Sequence, residues 1–236
     1  MPDKAKRILL KLSGEYLGGP KGQGFDFEVI ERLALQLIEV RGRGFEVAIV
    51  LGGGNFFRGA QNQPIPMDRV NADQIGMLAT VMNSLALKET FMAHGQSAAV
   101  MTGLNIPAVA EPFEKRKAIK KLSRGEMLIF GGGTGNPFFS TDTAAALRAL
   151  EVEADWVIKG TMVDGVYDKD PKKHPDAVKY KTLTFSDALK HDLKVMDAAA
   201  IALCRENSLP IGVVDIASET ALLDFLAGKD VGSMVR

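Results

Sequence analysis

Phe130-Gly131-Gly132-Gly133-Thr134-Gly135-Asn136-Pro137-Phe138-Phe139-Ser140-Thr141-Asp142 is the stretch on which the reading of this chain turns. The apolar residues 127–130 lead into it and read as a buried strand. The Ala-rich run 143–150 follows it and reads as a helix. Glycines at a strand end let the backbone turn sharply and leave its N–H groups open to a ligand. Ser140, Thr141 and Asp142 are cap-type residues placed where free N–H groups and the helix dipole favour an anion. Taken alone, the stretch allows two readings: a phosphate cradle, or an ordinary strand-to-helix loop with a good cap.

Outward from this point the same design recurs. Residues 8–12 form an apolar strand ending at Lys11-Leu12-Ser13-Gly14. Residues 46–51 form another, ending at Gly52-Gly53-Gly54-Asn55 with Arg58 beyond. Between them, Asp26 can cap a helix whose apolar residues Val29, Ile30, Leu33, Leu37 and Val40 fall at helical spacing. Further helices are predicted over 70–94, 114–124, 194–207 and 218–226. Further strands are predicted over 97–101, 106–110, 155–159, 211–216 and 233–235, with a turn-rich loop over 160–182. Strands alternating with helices predict an α/β fold: a three-layer αβα sandwich with a mostly parallel central sheet. No clean linker or internal repeat divides the 236 residues, so a single domain is expected.

A chain that is 46% hydrophobic and 25% charged can bury a proper core. Its formal net charge is zero, so no global field points to nucleic acid or to an anionic membrane. The basic helix 114–124 reads first as a solvated face, and a nucleic-acid partner is not expected. No apolar run approaches the roughly 20 residues of a membrane span. No secretion signal is read at the start, and the single Cys204 fits a reducing compartment, so a cytoplasmic location is expected. His94, His174 and His191 lack metal-ligand spacing, and no protein-built metal site is predicted.

The phosphate chemistry rests on the glycine turns and on their cations. Neither a P-loop pattern, a dinucleotide fingerprint nor the protein-kinase signature set is present. Phosphoryl transfer needs positioning and charge neutralisation more than covalent chemistry. Lys11 and Arg58 are candidate phosphate cations, each with an ordinary alternative as a surface charge. Asp142 either complements its helix dipole or holds Lys11, alone or with Mg²⁺. Asp73, early in the Met-rich helix, either is solvated or accepts from a ribose hydroxyl.

Together these motifs resemble the bacterial type of UMP kinase, within the amino acid kinase family. The resemblance spans nearly the whole chain. It is carried by Lys11-Leu12-Ser13-Gly14-Glu15, Gly52-Gly53-Gly54-Asn55-Phe56-Phe57-Arg58-Gly59, Gly76-Met77-Leu78-Ala79-Thr80-Val81-Met82-Asn83, the run from Thr134 to Asp142, Val163-Asp164-Gly165-Val166-Tyr167, and Lys194-Val195-Met196-Asp197. The run from Thr134 to Asp142 is the most specific of these; the first glycine motifs occur across the wider family. The resemblance implies an eight-stranded type of sandwich and transfer of the γ-phosphoryl group of ATP to UMP, with Mg²⁺ accompanying ATP, in pyrimidine nucleotide biosynthesis. It implies that Lys11, Leu12, Ser13, Gly14, Gly54 and Arg58 hold the ATP phosphates, with Thr161, Tyr167 and Asp170 on the adenine and ribose side. It implies that Gly53, Asp73, Thr134, Gly135, Asn136, Pro137, Phe138, Phe139, Ser140 and Thr141 bind UMP. Its catalytic set is Lys11, Arg58 and Asp142, with Lys194 as a second lysine. UMP would lie mainly on residues 1–155 and ATP mainly on 156–236. A homohexamer, activation by GTP and inhibition by UTP are implied as well, although Lys88 and His94 are the only basic groups over 88–99 to serve GTP. Two alternatives share the fold: a kinase acting on a carboxylate or carbamate, and a nucleotide-binding protein without turnover.

Overall fold

The computed structural model describes residues 6–59, 66–191, 193 and 195–236. In chain order the elements are β1 (Arg7–Leu12), a single turn α1 (Gly14–Leu17), α2 (Phe27–Gly42), β2 (Glu46–Leu51), α3 (Arg69–Ala93), β3 (Ala98–Thr102), β4 (Glu111–Pro112), α4 (Lys115–Ser123), β5 (Met127–Gly131) and α5 (Thr141–Glu151). Then come β6 (Trp156–Thr161), β7 (Val166–Tyr167), β8 (Lys179–Tyr180), β9 (Thr182–Leu183), α6 (Phe185–Lys190), α7 (Ala198–Glu206), β10 (Ile211–Asp215), α8 (Ala221–Leu226) and β11 (Ser233–Val235).

Among the described residues, nine strands form one sheet in the order β4-β3-β5-β2-β1-β6-β10-β11-β9. Every neighbouring pair runs parallel except β10 with β11. The strand alternation in the sequence has this cause: the central strands are buried on both faces and need helices on both. Within β1, Ile8, Leu10 and Leu12 enter one core with α2, α3 and α8. Leu9 enters the other, with α5 and α7. Lys11 has the parity of Leu9, so it is directed to the side of α5.

Four sequence expectations need correction. The sheet exceeds the eight-stranded type, with the two-residue β4 and β9 at its edges. Residues 106–110 are a turn rather than a strand: Ile106 N–H donates to Leu104 O, and Ala110 N–H to Ile106 O. Pro107 in that segment also has no N–H to give to a ladder. Pairing starts only at Glu111. The turn-rich loop 160–182 contains an antiparallel ribbon, β7 with β8. The helix expected over 194–207 begins at Ala198, because the Asp197 side chain caps it by accepting from Ala200 N–H.

Candidate active site

The strands β5, β2, β1 and β6 are consecutive in the sheet, so their carboxyl ends form one rim. The glycine turns at that rim touch one another. Gly52 N–H donates to Leu12 O at 2.8 Å. A Cβ on Gly14 would lie 2.5 Å from Gly52 O and from Asn55 Oδ1, so only glycine admits this approach. At the next turn, Gly132 (φ 74°) and Gly135 (φ 84°) adopt the left-handed backbone that bare glycine allows. Ser140 caps α5 by accepting from Thr143 N–H, which places Thr141 and Asp142 in the first helical turn.

Three charges meet where β1 and β6 face the N-terminus of α5. Lys11 Nζ lies 2.6 Å from Asp142 Oδ1, and both side chains are largely buried. Lys159 Nζ lies 3.6 Å from Asp142 Oδ2 and donates to Val195 O. Asp142 Oδ2 also accepts from Asp197 N–H at 3.2 Å. Burial alone would push the Asp142 carboxyl up. The Lys11 and Lys159 ammonium groups, with the Asp197 amide, outweigh it and hold the carboxyl below its ordinary value. Burial pushes Lys159 down, and Asp142 only partly restores it. Asp197 is itself engaged: it accepts from the Ser140 hydroxyl and from Thr143 Oγ1. The cap of α5 and the cap of α7 are thereby tied together.

Lys159 was not among the residues singled out from the sequence, and Asp197 stood there only as the last residue of the Lys194–Asp197 motif, with no role of its own. Each carried a signal: Lys159 interrupts an apolar strand just before Gly160, as Lys11 does near Gly14, and Asp197 opens an Ala-rich run. Lys194, the second lysine expected from the sequence, lies outside the described residues.

A cavity of about 610 Å³ opens beside this cluster. Lys11, Ser13, Arg58, Lys159 and Thr161 line it. Within that lining Arg58 pairs with Glu15 Oε1 at 3.3 Å. The Leu12 side chain is fully buried in the core, so only its backbone faces the rim. Gly54 lies beside the Glu15 side chain. Tyr167 and Asp170 line a neighbouring cavity of about 460 Å³. Chain continuity joins the two, since Met162 lines one and Val163 the other.

On the β5 side, Asp73 takes a hydrogen bond from Phe138 N–H at 2.7 Å and a paired contact from Arg69. Phe138 has φ 71°, a strained conformation for a bulky residue, and its N–H is the one that Asp73 accepts. Thr134 and Asn136 bond to each other within the loop, and Phe138 and Phe139 are exposed. Pro137, half-buried, directly precedes the two phenylalanines. Gly53 packs under α3, where an added Cβ would lie 2.7 Å from Gly76 O.

Among the described residues, no three His, Cys, Asp or Glu side chains are arranged to cage a metal. The buried Asp142 Oδ1 nevertheless lacks a well-formed hydrogen bond, despite its ion pair with Lys11. A carboxylate oxygen with spare capacity fits a Mg²⁺ ion that arrives on a polyphosphate, since Mg²⁺ commonly takes one or two carboxylates plus substrate phosphates.

Parallel strands ending in glycine turns, with a lysine pair and a buried carboxylate at the rim, are a phosphoryl-transfer architecture. Residues 6–215 match the amino acid kinase family, and the chain belongs to that family. Within it, the chain is 50% identical over 231 residues to a protein of Xanthomonas oryzae pv. oryzae named uridylate kinase, covering 98% of this chain and 96% of that one. It is also 50% identical over 239 residues to a uridylate kinase of Psychrobacter arcticus, covering 100% and 99% of the two chains. Among solved structures, a UMP kinase from Bacillus anthracis superposes with a TM-score of 0.94 at 37% identity, covering 98% of this chain and 96% of that one. A UMP kinase from Ureaplasma parvum gives 0.91 at 38% identity, with 98% of each chain covered.

Among the described residues no helix is long and apolar enough to cross a membrane.

Proposed function

We infer that this chain transfers the γ-phosphoryl group of ATP to UMP, giving UDP and ADP. The observation that carries this reading is the Lys11–Asp142–Lys159 cluster, set between the glycine turns of β1 and β2 and the cap of α5.

The acceptor phosphate of UMP is a monoester with a second ionisation near about 6, so it is largely dianionic at neutral pH and needs no general base. One of its oxygens attacks the γ-phosphorus, forming a new P–O bond while the bond to the β-γ bridging oxygen breaks. The electron pair leaves with ADP, and no proton has to move. The work left to the protein is in-line placement and neutralisation of spreading negative charge. In this reading Lys11 and Lys159 neutralise the transferring group, and Asp142 keeps the two ammonium groups side by side. Arg58, Ser13, Gly14 and Gly54 hold ATP phosphates, with the backbone of Leu12 shaping the rim. Thr161, Tyr167 and Asp170 line the side of base and ribose, which suits an elongated ligand spanning two adjoining cavities. Gly53, Asp73 and the run from Thr134 to Thr141 take UMP. Asp142 would hold Mg²⁺ delivered with ATP, whose chemistry there is charge neutralisation of the β- and γ-phosphates.

The proposal extends, on the resemblance, to a single kinase domain over 1–236 with UMP mainly on 1–155 and ATP mainly on 156–236. It further includes a cytoplasmic homohexamer, GTP activation and UTP inhibition. A coupled ADP-release assay with ATP and Mg²⁺ tests the activity. UMP should give rapid release over CMP, AMP and GMP, with aspartate, glutamate and carbamate silent. A preference for any carboxylate or carbamate would overturn it.

A further inference from the structure

We propose that Thr80 and Asn83 are positioning residues that set the spacing between the β2-end and β5-end glycine turns. The inference rests on the activity proposed above.

The two side chains lie three residues apart on α3, hence on one face of the helix, and both are buried, Asn83 completely. Thr80 Oγ1 donates to Met77 O at 2.6 Å and accepts from Gly132 N–H at 2.8 Å. Asn83 Nδ2 donates to Gly52 O at 2.7 Å and to Asn55 Oδ1 at 2.8 Å. Asn55 returns a bond to Asn83 Oδ1 at 2.9 Å and sends its other N–H to Gly24 O at 2.8 Å. Both amide groups are therefore fully used, and both turns take their place from one rigid helix.

This arrangement does more than satisfy polar groups. Gly132 and Gly52 end different strands, β5 and β2, and strand pairing alone does not fix how far apart their turns stand. Gly53 lies against the same helix at Gly76 and Ala79, too close for any side chain. An intrahelical threonine bond needs only the Met77 carbonyl; accepting from Gly132 as well makes Thr80 a bracket between helix and loop. In-line transfer is sensitive to displacements of about 1 Å, so a bracket of this kind acts on substrate placement.

Thr80→Val keeps the shape and orphans one buried N–H. It should raise KM for UMP roughly tenfold, the scale of one lost buried hydrogen bond, with KM for ATP nearly unchanged. Thr80→Ser should restore it. Hydrogen exchange read by mass spectrometry should speed up over residues 131–137 in Thr80→Val and stay unchanged over 52–55. Asn83→Leu should raise both KM values, because the β2 turn it holds serves both substrates. An unmoved KM for UMP in Thr80→Val would overturn the positioning role, as would equal rises for both substrates or a failure of serine to restore. A wild-type chain inactive toward UMP would instead overturn the functional reading.

Discussion

Lys11 and Lys159 are register partners on the adjacent parallel strands β1 and β6, so two ammonium side chains stand side by side at the sheet rim. Like charges directly across a sheet destabilise it. Asp142 offsets this, 2.6 Å from one and 3.6 Å from the other. The residual strain falls on Lys159, which burial depresses below its ordinary value. A site that keeps such a pair trades stability for charge.

The first prediction follows from that trade. Lys159→Met removes the repulsion while filling the same space. Thermal unfolding by calorimetry should show no loss of stability, and a gain is expected near neutral pH. The folded state holds the Lys159 proton less tightly than the unfolded chain, so the cost of burying the charge is fully present below the folded pKa. It fades as pH rises toward 10.5, and the gain should fade with it. Over the same variant kcat should fall by roughly a hundredfold, the usual scale for a removed electrostatic donor. A sharply lower Tm with unchanged kcat would make Lys159 a structural lysine.

The second prediction concerns the carboxylate between the lysines. Asp142 is held below its ordinary 3.8 although burial works in the opposite direction. A carboxyl-carbon NMR titration should therefore give a midpoint under 3.8 in the wild type. In Lys11→Met the midpoint should rise, since burial then meets less opposition. Because the folded value is the lower one, the stabilisation from ionised Asp142 is complete above 3.8. It is lost as pH falls through the folded midpoint. An unchanged midpoint in Lys11→Met would mean that the close contact carries little electrostatic weight.

Much of this arrangement is legible in the sequence because its signals are local. Glycines after an apolar run mark strand ends, and Ser140 with Asp142 marks a helix start, so the rim and the Lys11–Asp142 pair can be foreseen together. Lys159 is harder to find. Its importance comes from lying opposite Lys11 in the sheet, and register between strands so distant in sequence leaves no local trace. The error at residues 106–110 has the opposite origin. Ile106, Val109 and Ala110 look strand-like, but the backbone bonds locally and Ala110 is buried from within a turn. The ribbon of β7 and β8 has two-residue strands, too short to show alternation. By contrast α6 carried a readable signature that went unused: Thr184 and Asp187 form a reciprocal capping box.

The third prediction addresses the acceptor loop. Asp73 binds Phe138 N–H and Arg69 at once, and Arg69 also sits 5.5 Å from the centre of the Phe138 ring. Phe138 is largely exposed, so little packing of its own holds the left-handed backbone in place. A non-glycine residue there costs about 1–2 kcal/mol, and the charged hydrogen bond from its N–H to Asp73 contributes a comparable amount. Asp73→Ala removes that support along with the proposed ribose contact, whereas Asp73→Asn keeps an oxygen for the amide but weakens the hold of Arg69. Loop order and UMP affinity should fall together in the alanine variant, with faster hydrogen exchange over 136–139 and a KM for UMP at least about tenfold higher. The asparagine variant should keep loop order and lose less affinity. KM for ATP should stay near the wild-type value in both, because Asp73 lies across the rim from the cavity that Lys11 and Arg58 line. If Asp73→Ala left exchange over 136–139 unchanged, Phe138 would owe its conformation to the surrounding glycines and proline instead.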